Sequence, residues 1–353
     1  MKLREYIRIL VVAIVTLLLV ASCSKIDRVP DAKQQEIAVA PLTPVMSKVE
    51  KGPLDSYPQK ESMGVFAYLS ELEDGQSWPA DASVSSYFEN KEFAYKAEAQ
   101  AWAGVTAAYW PLRGSLIFAG YSPYNKDEGS QLQNVNFEVE TKTLSIDGYE
   151  VEDYKSISEA DMYSSKEYKN KCQTDLMYFL PKTDAFGDYV GTVSESAYTA
   201  NFYHALAQVV FTVECETDID KNYIRLREIL LSNIVSKGNF SAKAERTQKR
   251  DVIWTLADGA DVSTLNVLSY KGDSGGMQLQ TTPLKVVELL TIPIGEHEIS
   301  ITYSLIVNGK PHQETMTFKD QWEAGKKYIY NLVLGIDTIQ LVPKVATDWV
   351  TNE

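Results

Sequence analysis

Histidine and cysteine are almost missing from this chain: three of each in 353 residues. The cysteines, Cys23, Cys172 and Cys215, lie far apart, and none has a cysteine or histidine at metal-ligand spacing. A structural zinc site needs four such ligands, so none is expected, and nothing else in the chain asks for a cofactor. Also missing are a phosphate-cradling Gly-rich loop ending in Lys-Ser or Lys-Thr, a His-Glu-x-x-His pair and a dinucleotide fingerprint. Basic residues are in deficit, 34 against 48 acids, for a net charge of -14. Such a surface repels phosphate backbones, which argues against nucleic-acid binding.

Long apolar runs are confined to the start. A short basic segment with Lys2, Arg4 and Arg8 precedes an apolar run from Ile9 to Ala21, interrupted only by Thr16. The run is shorter than the ~20 residues that cross a bilayer, and polar residues follow at once, so residues 1–22 read as a secretory signal. Leu19-Val20-Ala21-Ser22-Cys23 places small residues just before a cysteine, the pattern of a bacterial lipoprotein signal. Cys23 is therefore the expected lipidation site and new N-terminus, with its acyl chains holding the protein on a membrane. Losing a segment of net charge +2 leaves the mature part near -16. Cys172 and Cys215 are then the remaining thiols; an oxidising compartment permits a disulfide, but two small buried thiols is the simpler reading.

The body is too long for one core of ordinary size, so two domains are expected. Residues 23–60 form an arm rich in Pro, Lys, Gln and Ser around an apolar island, Ile37 to Met46, whose Pro41 and Pro44 suit an edge strand or a loosely held arm. From Met63 the pattern is that of an all-β protein with little helix. Met63–Leu69 and Leu116–Tyr121 are short apolar runs, and Val135–Val139 alternates with period two. Ala207–Val213 and Tyr223–Leu231 read as strands. Ile299–Val307, Asn308-Gly309 and a return ending at Phe318 predict a hairpin, because Asn-Gly suits the left-handed angles of a type I′ turn. Further strands are expected at 328–334 and 338–342. Phe93 to Ala108 has helical propensity but is bracketed by strand-like aromatics, and strands are preferred there. The polar segment Asp184 to Ala197 marks a join between an N-terminal sandwich, 61–195, and a C-terminal one, 196–353.

Gly272-Asp273-Ser274-Gly275-Gly276 matches the nucleophile signature of trypsin-like proteases. That chemistry also needs a histidine base and a buried aspartate, and the one upstream histidine, His204, lacks the required context; His297 and His312 lie in strand-like surroundings. The match reads as a glycine-rich turn and His204 as a core histidine with a satisfied hydrogen bond. Glu71 with Glu73, and Glu152-Asp153, read as solvated loop acids. No catalytic residue is assigned, and the chain is not expected to be an enzyme.

Several segments in order resemble the fimbrillin family, the subunits of type V pili in the Bacteroides and Porphyromonas group. They are the signal ending at Cys23, Gly64-Val65-Phe66-Ala67-Tyr68, Tyr109-Trp110-Pro111, Leu116 to Pro123, Asp175-Leu176-Met177-Tyr178, Phe202 to Ala207, Lys237-Gly238-Asn239-Phe240, and Trp322 to Leu332. The resemblance implies two transthyretin-like β-sandwich domains, export as an outer-membrane lipoprotein, and proteolytic removal of the N-terminal segment with its first strand. A strand from another fimbrial subunit then fills the open groove. Carried onto this chain, the removable strand falls on the island, with Ile37, Val39, Leu42 and Val45 as its apolar residues, and Lys48 and Lys51 follow it as candidate cleavage sites. The best-known members are cut after arginine; here only Arg28 precedes the island, so cleavage at a lysine and no cleavage both stay open. Ile339, Leu341, Val345 and Trp349 mark a candidate donor or closing strand. The resemblance implies a fimbrial structural subunit supporting adhesion to a host or bacterial surface receptor. The competing reading is a surface lipoprotein that captures a glycan or host ligand without polymerising, for which Trp78 and Trp102 would have to be exposed along a groove.

Overall fold

In a computed structural model, the structure describes residues 35–42, 57, 59–72, 76–79, 82–127, 130–151, 173–193, 197–246, 249–270, 276–336 and 339–348. Cys23, Arg28, Val45, Lys48, Lys51, Cys172, Ser274 and Trp349 lie outside the described residues. The first strands are β1 (Ala38–Leu42), β2 (Met63–Ser70), β3 (Ser77–Trp78), β4 (Val84–Lys96), β5 (Ala101–Gly104), β6 (Ser115–Ser122), β7 (Asn125–Asp127), β8 (Ser130–Gln131), β9 (Val135–Glu138) and β10 (Thr143–Glu150). Next come β11 (Met177–Phe179), β12 (Tyr189–Val190), β13 (Tyr198–Asn201), β14 (Tyr203–His204), β15 (Ala207–Cys215), β16 (Ile224–Val235), β17 (Lys237–Ala244) and β18 (Arg250–Leu256). The last are β19 (Val262–Ser269), β20 (Met277–Gln278), β21 (Leu284–Thr291), β22 (Glu296–Val307), β23 (Lys310–Gln321), β24 (Lys326–Leu334) and β25 (Ile339–Asp348). Among the described residues the only helix is one 3-10 turn, Asp220–Asn222. The protein is all-β.

The largest sheet runs β13-β1-β5-β4-β2-β6-β11-β14. Its two ends, β13 and β14, are separated by one residue, Phe202, so a single run of chain bounds both sides and the sheet curls back on itself. Seven of its eight strands point side chains inward: Val39, Trp102, Phe93, Val65, Phe118, Phe179 and Tyr198 share one buried cluster. The other face of β2, β6 and β11 packs through Phe66, Tyr68, Ile117, Tyr121 and Tyr178 on a second sheet, β18-β17-β10-β9, with Phe137, Ile146 and Phe240 opposite. Burial on both faces explains why β2 and β6 read in the sequence as unbroken apolar runs rather than alternating ones. The third cluster lies between sheets β21-β15-β24-β25 and β19-β16-β22-β23, where Val209, Phe211 and Tyr330 meet Ile229, Leu231 and Ile301.

The sheets do not follow a cut at residue 195. The β17–β18 hairpin comes from the C-terminal half, yet β17 pairs with β10 and completes the N-terminal packing. Asp184 to Ala197, expected as a join, includes β12, which pairs with β3, and Thr192, which bridges to Leu116. Phe93 to Ala108 forms the ends of β4 and β5, as strands. The Asn308-Gly309 turn has φ of 50° and 75° and joins β22 to β23. Residues 339–342 and 345–348 belong to one strand, β25, at the edge of its sheet with β24 as its neighbour.

His297 sits fully buried at the start of β22, stacked on Trp322 at 4.1 Å, with Nδ1 donating to the Asn233 carbonyl at 3.1 Å. Burial lowers its pKa below the ordinary 6.5, partly offset by the Asn233 bond and Asp320. The unfolded chain then takes up a proton that the native state refuses, so stability is complete above about pH 6.5 and lost as pH falls below it, at no more than ~1.4 kcal/mol per pH unit. In urea titrations at pH 7.5 and 5.5, His297→Gln should remove this part of the slope; an unchanged difference between the two pH values would refute the assignment.

Candidate functional site: the slot of the first strand

The island predicted as a removable strand is built into the curled sheet. Val39 to Leu42 run parallel to Tyr198–Asn201 on one side, while Ala38 and Val39 pair antiparallel with Ala103 and Trp102 on the other. Ahead of the strand, Ile37 donates to the Ala108 carbonyl at 2.7 Å and Glu36 ion-pairs with Lys96 at 2.6 Å. The prolines suggested an edge position; instead β1 is second in the sheet, inside β13. Alternation reconciles the two. Phe202 N donates to the Leu42 carbonyl, so Leu42 faces β13 and Pro41 faces the other way, to the side where pairing with β5 has already ended. Its missing N–H leaves no ladder partner unsatisfied.

Ile37 and Val39 are both 0% exposed and point into the aromatic interior, whereas Leu42 is 57% exposed. Burying two aliphatic side chains stabilises β1 by roughly 3–6 kcal/mol, and its ladder bonds add about 1 each. Ordering the six residues from Ile37 to Leu42 costs roughly 6–12 kcal/mol of backbone entropy. The terms cancel to within a few kcal/mol.

What surrounds β1 comes from chain that follows it. Tyr57, which sequence reasoning did not single out, packs edge-on against Trp102 at 5.1 Å and against Phe202 at 5.5 Å, touching the chain on both sides of the slot from beneath. Its hydroxyl hydrogen-bonds Ser122, and burial pushes its pKa well above the ordinary tyrosine value. Trp102 donates from Nε1 to the Glu61 carbonyl at 3.1 Å. Tyr57 and Glu61 both follow Lys51, so the floor of the slot belongs to chain that a cut at Lys48 or Lys51 would retain.

The competing sites fare differently. Trp102 and Trp78 are 8% and 2% exposed, and Trp78 bonds Ser115 at 3.2 Å; neither offers a face to a sugar. His204 is buried with Nδ1 2.7 Å from Asp175, a core histidine as expected. Cys215 is a free buried thiol. Among the described residues no group of three or more His, Cys, Asp or Glu is arranged to hold a metal. Ile339, Leu341 and Val345 all lie on β25.

A family profile described as Fimbrillin-like matches residues 56–349. Solved structures with similarity include a protein provisionally named for cell adhesion from Bacteroides uniformis, 14% identical, covering 90% of this chain and 98% of that one, TM-score 0.46. A similarly named protein from Bacteroides ovatus is 12% identical, with 91% and 99% covered and a TM-score of 0.44. A fimbrial protein from Bacteroides ovatus is 13% identical, with 86% of this chain and 50% of that one covered, TM-score 0.32. No curated protein sequence matches.

Val39→Asp places an unpaired carboxylate at a fully buried position, which costs several kcal/mol. Releasing β1 relieves that cost more cheaply than global unfolding. Amide hydrogen exchange should show Ala38–Leu42 losing protection while β15 and β16 keep theirs; equal loss throughout would mean that β1 is integral to the fold.

Proposed function

The chain belongs to the fimbrillin-like family, a fimbrial and not an enzymatic protein of the cell surface, and from that premise we propose that it assembles by exchange of its first strand. In this reading it is exported, lipidated at Cys23 and carried to the outer membrane, where residues up to Lys48 or Lys51 are removed. β1 leaves with them. The opened slot between β13 and β5 takes a strand from another copy or a sibling subunit, and the candidate donor is β25, with Ile339, Leu341 and Val345. We further take the body to be two sandwiches, the first completed from beyond residue 195 by β13, β14, β17 and β18.

The observation that carries this is the seat of β1. With Ile37 just ahead of it, β1 supplies two fully buried anchors to a core otherwise built from residues after Lys51, and it alone joins β13 to β5. The family match itself begins at residue 56, after β1 and both candidate lysines. Burial of Trp78 and Trp102 weighs against a non-polymerising glycan binder.

N-terminal sequencing of the protein from outer-membrane and sheared-filament fractions should give an acylated Cys23 in the first and a start just after Lys48 or Lys51 in the second. Lipid-free protein cut at that place should form polymers. A cut chain that stays monomeric and never pairs with a sibling subunit would end the proposal.

A further inference from the structure

Beyond the end of β1 lies a small cationic cleft. β11 and β14 pair only as far as Tyr178 and Tyr203. Past that point Pro181 has no N–H to give, the two segments part, and the gap is lined by Lys182, Asn201, Tyr203, Lys249 and Arg250. The Arg250 guanidinium lies 3.5 Å from the centroid of the Tyr203 ring, and the Lys182 ammonium 5.1 Å from that of Tyr198, so both heads are held in place by aromatic faces. Lys249 has an acidic partner, Glu245, at 3.3 Å, but among the described residues no carboxylate lies within ion-pair distance of Lys182 or Arg250. In a chain with fourteen more acids than bases, a cluster of this sign stands out. The enclosed space is about 20 Å³, the size of one small group.

Its position relative to the slot gives it a partner. Leu42, the last residue of β1, is in register with Asn201, and Asn201 lines the cleft. A strand that replaces β1 in the same direction therefore leaves the slot beside these cations. After Lys344, the only charged residues of the C-terminal segment are Asp348 and Glu353, both acidic; after Leu42, the resident segment carries Lys48, Glu50 and Lys51. We propose that the cleft binds a carboxylate, Asp348 or Glu353, from the C-terminal segment of a second copy of this chain, favouring the incoming strand over the resident one. The inference rests on the strand-exchange reading above and adds to it an electrostatic gate on donor entry.

The test uses the lipid-free full chain with a site-specific protease sequence placed between Lys48 and Lys51, cut in place, with polymer growth followed by light scattering. At about 50 mM salt, Lys182→Glu and, separately, Arg250→Gln should slow growth roughly tenfold, and the difference should shrink at about 500 mM. A donor carrying Asp348→Lys and Glu353→Lys should restore growth on a Lys182→Glu acceptor. The uncut Lys182→Glu chain should melt with the wild type, which separates a docking defect from a folding one. Growth indifferent to these changes, or slowed equally at both salts without rescue, would overturn the cationic gate alone. A wild-type chain that forms no polymer at either salt would overturn strand exchange and the gate together.

Discussion

In the hydrogen-bonded order of the curled sheet, β13 and β5 are joined only through β1. Neighbouring strands lie about 4.8 Å apart, so without β1 those two edges would face each other across roughly twice that distance, too far to bond directly. Their backbone groups and the aromatic interior behind them would meet water. A sheet that ends at a free edge can be shortened or capped, but a wall that curls back on itself must be filled where it lacks a stave. Hence a five-residue strand, with Val39 buried in it and Ile37 buried just before it, governs whether about a dozen large residues stay dry.

The other two buried clusters are built without this element. The C-terminal cluster, from Ala207 to Leu334, contains no residue of β1, and the cluster between the curled sheet and β9–β10–β17–β18 contains none either. The β17–β18 hairpin adds a further restraint. It comes from beyond residue 236 and pairs with β10, so the outer face of the curled sheet is braced by a segment that removal of the N-terminal arm does not touch. Tyr57 does the same from within, bridging Trp102 and Phe202.

Much of this was legible in the sequence wherever a physical rule acts over a few residues. Alternation identified Val135–Val139, Asn308-Gly309 fixed the hairpin of β22 and β23, and the doubly buried β2 and β6 stood out as apolar runs. The stretch from Phe93 to Ala108 shows context prevailing over propensity, since its alanines favour a helix but Phe93 and Trp102 fill the interior of the curled sheet from β4 and β5. Partner choice was not legible. Nothing local tells β17 to seek β10, ninety residues earlier, or β1 to lie parallel to β13. The prolines misled about the position of β1 because an inner strand tolerates proline once one of its neighbours has ended. Trp78 and Trp102 were ambiguous in sequence, because a large ring suits a core and a sugar-binding face equally. The cationic cleft was hidden because its residues come from three separate segments and gather only where Pro181 parts two strands.

In the exchange proposed above, a comparison of the two candidate strands gives a direction. β1 has five residues and touches both its neighbours only at Val39; β25 has ten and, in its own chain, occupies an edge with a partner on one side. Moving a strand of that kind from an edge into a slot gives its backbone two ladders in place of one, each bond adding about 1 kcal/mol. The resident strand, whose anchoring nearly cancels against the entropy of ordering it, has little with which to compete. Its covalent tether is its one advantage, since an attached strand is present at high effective concentration whatever its intrinsic affinity. Cutting the chain between Leu42 and Tyr57 removes that advantage and leaves every contact of the slot in place, so proteolysis alone would suffice to turn a closed monomer into an acceptor.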